Sequence, residues 1–301
     1  MASISVRNIV KSFGSQRAVD GVSFDVEAGE IFGLLGPNGA GKTTCIRIIL
    51  DIFKADSGQV AVLGGPMSEA TKNLIGYLPE ERGLYQDIPL ERCLTYLASL
   101  KGLSPIEAKK RMDQYLIRFD LSAHRHKKIK ELSKGMQQKA QLIVTLIHQP
   151  KILIIDEPFS ALDPINTQLV KDLLREERDR GTTIVMCTHQ MHQVEELCDR
   201  LVLIHQGQTV LYGVLNDIRR QYASRAVRIR TQSILPSGLP GVEQVQPENG
   251  NLVLRLAGGV APQDILKTLV EHNITLEAFE IAMPTLDEIF IQVVQGQGAA
   301  G

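Results

Sequence analysis

Residues 36–44 read GPNGAGKTT, with the spacing G-x-x-x-x-G-K-[ST], between the apolar run EIFGLL (30–35) and the helix-favouring KTTCIRIIL (42–50). In such a strand–loop–helix, glycines let backbone N–H groups converge on phosphate oxygens. The sequence therefore predicts a phosphate loop, with Lys42 on the β- and γ-phosphates and Thr43 on Mg²⁺. The predicted nucleotide contacts are Gly36, Pro37, Asn38, Gly39, Ala40, Gly41, Lys42, Thr43 and Thr44.

Two adjacent carboxylates end a second apolar run, ILIIDEP (152–158). Asp156 comes at the carboxyl end of the run, where α/β sheets bind ligands, and a carboxylate there can hold Mg²⁺ directly or through water. Glu157 beside it suits a base that orients or deprotonates an attacking water. The alternative is two surface acids at a strand end. We predict that Asp156 is a metal ligand and that Glu157 is catalytic.

His189 follows a third apolar run, TTIVMCT (182–188), and is expected at the same sheet edge. Its imidazole could contact the γ-phosphate and the water, so Lys42, Glu157 and His189 are the predicted catalytic residues; a purely structural histidine is the alternative. His192 suggests a zinc pair, but the stretch has no third ligand, and Mg²⁺ prefers oxygen.

A fourth stretch, LSKGMQQK (132–139), places Ser133 at a predicted helix start and Gly135 two positions later. The first turn of a helix has free N–H groups and the positive end of the dipole, which together favour an anion. Phe13, before the phosphate loop, could stack on adenine, although a core aromatic at a strand end is the more common arrangement. We predict that Ser133 and Gly135 bind an anion and that Phe13 binds the base.

Composition narrows the class of protein. The 301 residues are 44% hydrophobic and 22% charged, and the formal net charge is −1, so we expect no nucleic-acid partner. The four cysteines have no metal-binding spacing and indicate a reducing, intracellular compartment. The sequence has no signal-peptide pattern and no apolar stretch near the ~18 residues that span a bilayer.

The order of elements predicts an α/β fold with a mostly parallel sheet. Two alternating strands, 4–13 and 22–30, are predicted to pair antiparallel, and residues 200–213 to form a hairpin turning at Gln206-Gly207. Residues 90–130 have a helical pattern. We predict a core over 1–220 with a helical subdomain at about 85–145, a small α+β domain over 221–294, and a flexible tail over 295–301.

The phosphate loop, LSKGMQQK, the acid pair, SALD (160–163) and His189 together resemble the ATPase subunit of ATP-binding-cassette (ABC) transporters over about residues 3–220. The resemblance implies a P-loop NTPase core with an antiparallel β subdomain, and ATP and Mg²⁺ as cofactors. It implies that Ser133 and Gly135 of one copy touch the γ-phosphate bound by a second copy, so that two ATPs join two copies head to tail. Asp163, also a predicted helix cap, would cross that interface.

Two departures from the family pattern concern the predicted site. GYLPEERGLY (76–85) has Glu80 where the family usually has a metal-binding glutamine. A carboxylate can ligate Mg²⁺ but adds negative charge beside the triphosphate. LSKGM (132–136) stands where the family has its LSGGQ-type signature, and this signature has Lys134 for a glycine and Met136 for a glutamine. The predicted metal ligands are therefore Thr43, Glu80 and Asp156.

The expected function is that of a cytoplasmic ATPase, peripheral on the cytoplasmic face of the cell membrane, which powers a transporter whose permease is a separate polypeptide. The helical region 80–130 is the expected docking surface. PEERGLY (79–85) and the C-terminal segment resemble bacterial ATPases of sodium, drug or polysaccharide exporters, which favours export. A soluble mechanical ATPase acting on DNA or ribosomes is the alternative, and the signature argues against a kinase or GTPase. Dimer clamp, regulatory sensor and permease-docking element all fit residues 221–294.

Overall fold

The protein is described from a computed structural model that covers residues 2–81, 83–223, 226–236, 238–248 and 250–298, with side chains up to residue 294. The chain forms two compact units, Met1–Leu215 and Asn216–Gly301. In the covered ranges, no helix has both the length and the apolar character needed to cross a membrane.

The first unit combines two sheets with helices. Its strands are β1 (Ala2–Phe13), β2 (Gln16–Glu27), β3 (Ile31–Leu35), β4 (Ser57–Val62), β5 (Ile75–Leu78), β6 (Ile152–Asp156), β7 (Thr183–Thr188), β8 (Arg200–His205) and β9 (Gln208–Val214). Its helices are α1 (Lys42–Ile49), α2 (Glu69–Lys72), α3 (Leu90–Leu100), α4 (Pro105–Arg118), α5 (Lys134–Leu146), α6 (Pro164–Asp179) and α7 (Met191–Leu197).

The central sheet has the strand order β5-β6-β7-β3-β8-β9, and every neighbouring pair is parallel except the β8–β9 hairpin. β3, β6 and β7 are buried along their whole lengths, as expected for strands of a parallel sheet. This confirms the predicted fold class and the hairpin turn at Gln206-Gly207. Because β3, β6 and β7 are neighbours, the loops that follow them meet at one edge of the sheet.

The predicted antiparallel pairing of the N-terminal strands is also present. β1 lies between β2 and β4, and the β1–β2 register places Phe13 opposite Gln16. α1 contributes Cys45 and Ile46 to a core shared with both sheets, in which Phe24 and Phe32 stack with ring centroids 5.4 Å apart. Each fully buried side chain of this size adds about 1.5–3 kcal/mol to folding.

The helical subdomain predicted at about 85–145 spans α3, α4 and all but the last residue of α5, with 3₁₀ turns at Ser122–His124 and Ile129–Glu131. Ser104 caps α4 by accepting from the N–H of Glu107 at 3.3 Å. α5 continues from this stretch to β5, where Gly76 allows the helix and the strand to pack closely. A Cβ on Gly76 would lie 2.4 Å from O of Thr145 in α5. One helix therefore joins the helical stretch to the central sheet.

The elements of the second unit, with the helix that begins at the boundary, are α8 (Leu215–Gln221), β10 (Ala226–Arg230), β11 (Val242–Glu248), β12 (Asn251–Leu256), α9 (Pro262–Glu271), β13 (Ala278–Ile281) and α10 (Leu286–Gly298). The strands form an antiparallel sheet with the order β11-β12-β10-β13, which packs on α9 through Val227, Leu254 and Ile265. Strand β11, whose alternation is weak and which contains Pro247, is absent from the sequence prediction.

The predicted flexible tail, residues 295–301, differs from the structure at its beginning. α10 runs to Gly298, so residues 295–298 continue a helix that has an acidic first turn and then the mainly apolar run IFIQVV (289–294). Extension adds a hydrogen bond for each residue once a helix is nucleated, which overrides the two glycines. Residues 299–301 lie outside the described residues.

Candidate nucleotide and metal site

The predicted phosphate loop lies between β3 and α1, and two of its glycines allow close backbone approaches. A Cβ on Gly36 would lie 2.1 Å from O of Ile204, and a Cβ on Gly41 would lie 2.4 Å from O of Ala18. Both glycines have positive φ, 148° and 107°, a region that side chains disfavour. Packing against β8 and β2 therefore fixes the loop conformation at both ends.

Lys42 begins α1 and is 7% exposed. Its Nζ donates to O of Gly36 at 2.8 Å and to O of Pro37 at 3.1 Å, so the ammonium group is bound to two backbone carbonyls of the loop. A phosphate oxygen is a stronger acceptor for an ammonium group than a neutral carbonyl is. The lysine is thus held at the loop by two hydrogen bonds, and a phosphate oxygen can replace the carbonyl oxygens as the acceptor.

A cleft of about 280 Å³ opens beside the loop. Ala18, which the sequence analysis did not single out, contributes to its wall. The structure therefore gathers most of the predicted nucleotide and metal residues around one space. The predicted site residues that line it are Asn38, Gly39, Ala40, Gly41, Lys42, Thr43, Thr44, Glu80, Asp156 and Glu157.

The predicted metal ligands fit a magnesium ion by their chemistry. Oγ1 of Thr43 donates to Oδ2 of Asp156 at 3.3 Å, and Glu80 lines the same cleft. Asp156 is 2% exposed, and burial raises its pKa, with smaller contributions from the charges of Glu80 and Glu157. Because a divalent cation would offset both the burial and the repulsion, this set of oxygen atoms suits Mg²⁺.

Glu157 and His189 form a close pair at the ends of β6 and β7. Oε1 of Glu157 is 2.6 Å from Nδ1 of His189 and accepts from its backbone N–H at 2.9 Å, while Oε2 accepts from Oγ1 of Thr188 at 3.1 Å. The histidine ring is turned to this carboxylate rather than to His192. Glu157 has φ 49°, a strained value for a residue with a side chain, and such strain is concentrated at functional sites.

Ser133, Gly135 and Asp163 are not among the described residues that line the cleft. Ser133 caps α5 by accepting from the N–H of Met136 at 3.2 Å. Asp163 caps α6 by accepting from the N–H of Asn166 at 2.8 Å, and this bond holds the pKa of the carboxyl below its usual value. The starts of α5 and α6 lie close together. A Cβ on Gly135 would be 3.1 Å from O of Ala161, which lies in the loop just before α6.

Phe13 ends β1 as an exposed ring, 48% accessible, rather than as a core aromatic. Its edge packs on Phe53 with ring centroids 5.5 Å apart, and Nζ of Lys11 lies 5.7 Å from the ring centroid. The ring is therefore supported from one side by protein and remains accessible to a planar ligand.

Comparison with known proteins gives the family. The ABC transporter family matches residues 19–160, and a family described as ATP-binding protein DrrA1-3-like, C-terminal domain, matches residues 213–294. The ABC transporter ATP-binding protein YhaQ of Bacillus subtilis (strain 168) is 38% identical over 97% of this chain and 98% of its own length. The chain belongs to the ABC transporter ATP-binding proteins. Its resemblance to this family is thereby confirmed.

Two further similarities agree with that membership. The linearmycin resistance ATP-binding protein LnrL of Bacillus subtilis (strain 168) is 30% identical over 96% of this chain and 97% of its own length. A solved ATP-binding subunit of an ABC transporter superposes with a TM-score of 0.69 at 32% identity, covering 73% of this chain and 92% of that one. The predicted ABC-type P-loop NTPase fold is confirmed, and the ABC ATPase domain is one that binds ATP, typically with Mg²⁺.

Three polar residues around the ABC site are missing from the sequence prediction. Thr188 donates to Glu157, Gln138 donates through Nε2 to O of Pro158 at 3.3 Å, and Gln141 donates to the loop that carries Glu80. Thr188 could have been predicted from the sequence, because it directly precedes the candidate His189. The two glutamines lie on the apolar-patterned α5, where only the fold reveals what their amides contact.

Proposed function

We propose that this chain binds and hydrolyses ATP with Mg²⁺ and that the reaction drives export through a separate transmembrane permease. The observation that carries the proposal is the gathering of the phosphate loop, the Thr43–Asp156 contact and Glu157, whose carboxylate pairs with His189, around one cleft. Family membership adds the link to transport. The domain boundaries 1–220 and 221–294 and a location on the cytoplasmic face of the membrane belong to the same proposal.

Substrate binding falls to the loop and to the base-stacking residue. Backbone N–H groups of the loop and the ammonium of Lys42 hold the β- and γ-phosphates, after Lys42 releases the carbonyls of Gly36 and Pro37. Phe13 stacks on the adenine. Thr43, Asp156 and Glu80 would hold Mg²⁺, which would neutralise charge that develops on the phosphates.

Proton handling falls to Glu157 and His189. The Glu157 carboxylate accepts the proton of the water whose oxygen bonds to the γ-phosphorus, while the bond from that phosphorus to the oxygen of ADP breaks. Thr188 and the backbone N–H of His189 fix the orientation of the carboxylate. Nδ1 of His189 lies 2.6 Å from the carboxylate of Glu157, so the imidazole holds the base beside the γ-phosphate.

Completion of the site falls to a second copy of the chain, arranged head to tail. Ser133 and Gly135 begin α5, a helix of 13 residues, and their N–H groups would meet the γ-phosphate held by the partner copy. Asp163 would approach the same interface. Each chain thus supplies half of two sites, and ATP joins the copies.

Isolation of the ATP-bound chain from its native membranes tests the transport proposal. We expect an affinity-tagged Glu157→Gln chain with ATP to retain a multi-spanning membrane protein, and that protein, reconstituted in vesicles, to increase the ATPase rate of the unmodified chain. A Lys42→Ala chain is the control and should retain less. Co-sedimentation with ribosomes or DNA, without a membrane protein, would contradict transport and support the mechanical-ATPase alternative.

A further inference from the structure

A buried amide on α5 holds the backbone on both sides of Glu80. Gln141 is 4% exposed, and its Nε2 donates to O of Glu81 at 3.2 Å and to O of Pro79 at 3.5 Å. The second bond is at the limit of hydrogen-bond distance. The residue between those two carbonyls is Glu80, so one side chain restrains the segment that presents its carboxylate to the cleft.

The oxygen of the Gln141 amide does not contribute to the stability of the fold. Within the described residues, Oε1 of Gln141 is buried and has no hydrogen-bond partner. A buried acceptor without a partner is costly, whereas an apolar side chain of similar volume would avoid that cost. The presence of a glutamine here is therefore better explained by the two backbone carbonyls that its Nε2 binds than by a contribution to folding stability.

The segment needs restraint because Glu80 faces charges of its own sign. Glu80 is exposed, and it lines the same cleft as the buried carboxylate of Asp156. Glu157 adds a third carboxylate to the same cleft. In the absence of a cation, repulsion favours displacement of an unrestrained segment toward solvent, which would carry Glu80 away from the position where it could share a metal with Asp156.

We propose that Gln141 is a positioning residue, which holds Glu80 beside Asp156 so that both carboxylates are in place when Mg²⁺–ATP binds. The proposal rests on the proposed function, because it assumes that the cleft takes the metal–nucleotide complex. It also gives α5 two tasks, since the same helix begins at the Ser133 turn. Through Gln141, the segment that carries Glu80 at the chain's own nucleotide is linked to α5, whose first turn would contact the nucleotide of the partner copy.

The test is the Mg²⁺ dependence of nucleotide binding, measured with a fluorescent N-methylanthraniloyl ATP and without any readout of turnover. Gln141→Met removes the donor at nearly constant volume. We expect it to raise the Mg²⁺ concentration for half-maximal binding about tenfold, as loss of a residue supporting a metal ligand typically does, without lowering the melting temperature. Thr145→Val is the matched control. It removes a buried hydroxyl one turn along α5 that donates to the backbone O of Gln141 at 2.8 Å but not, among the described residues, to the segment around Glu80, and it should leave the Mg²⁺ midpoint unchanged.

A double variant separates positioning from a general structural effect. In a Glu80→Ala background, Gln141→Met should cause no further change in the midpoint, because the residue that it positions is gone. An unchanged midpoint in Gln141→Met, or a tenfold shift that persists without Glu80, would overturn the proposal. If the unmodified chain itself binds the nucleotide without any Mg²⁺ effect, the proposed function fails first, so the two failures are distinguishable.

Discussion

Replacing Glu157 with glutamine should reduce ATP turnover by about 10²–10⁴-fold while ATP still binds. The amide cannot accept the water's proton, but it keeps the shape and one acceptor oxygen. That oxygen can still take the hydrogen bonds from the backbone N–H and Nδ1 of His189, which lie 2.9 and 2.6 Å from Oε1 of Glu157. Steady-state phosphate release and equilibrium binding of labelled ATP, measured on the same preparation, provide the comparison.

Glu177→Gln is the matched control for Glu157→Gln. Glu177 is also a buried glutamate, 5% exposed, but it pairs with Arg180 at 2.7 Å and is not among the described residues that line the cleft. We expect its turnover to stay within a few-fold of the unmodified chain. Turnover of Glu157→Gln equal to that of Glu177→Gln would remove Glu157 from the catalytic step.

Replacing Lys42 with alanine should weaken ATP binding by roughly 10- to 100-fold, the equivalent of about 1.5–3 kcal/mol for hydrogen bonds that involve a charged group. Lys42 is 7% exposed, and the two acceptors of its ammonium group are loop carbonyls that an ATP phosphate would replace. Calorimetric titration with ATP and Mg²⁺ measures the change in affinity.

Lys54→Ala controls for loss of a lysine near α1. Lys54 lies beyond the other end of that helix, where its exposed side chain pairs with Asp51. Exposed pairs of this kind contribute little, so neither ATP affinity nor the melting temperature should change appreciably. Equal affinities of the Lys42→Ala chain and the unmodified chain would be incompatible with the phosphate-loop assignment.

The sequence predicted the parts of the site that local patterns encode. A phosphate loop needs glycines at fixed spacing, and the carboxyl ends of buried strands are visible as the ends of apolar runs, so GPNGAGKTT, Asp156 and His189 could all be placed at one edge of a sheet. The order of the strands β6, β7 and β3 then brings these residues together.

Contacts that depend on tertiary packing were not predictable in the same way. Gln141 lies in a helix whose pattern is mainly apolar, and nothing in its neighbours indicates that its amide reaches the backbone around Glu80. Strand β11 is an edge strand with exposed side chains and a proline, so its alternation is weak. The pairing of the Ser133 turn with a second copy stays a prediction, because it concerns a surface that one chain presents to another.

The central claim is that ATP is held between two copies of this chain, and the molar mass of Glu157→Gln measured by light scattering tests it most directly. With saturating ATP and Mg²⁺, this slowly hydrolysing variant should have twice the 33.2 kDa mass of one chain, and it should return to a single chain when nucleotide is removed. Adding Ser133→Arg, which places a bulky side chain at the start of α5, should abolish the doubling. A mass of one chain at saturating ATP would contradict the claim.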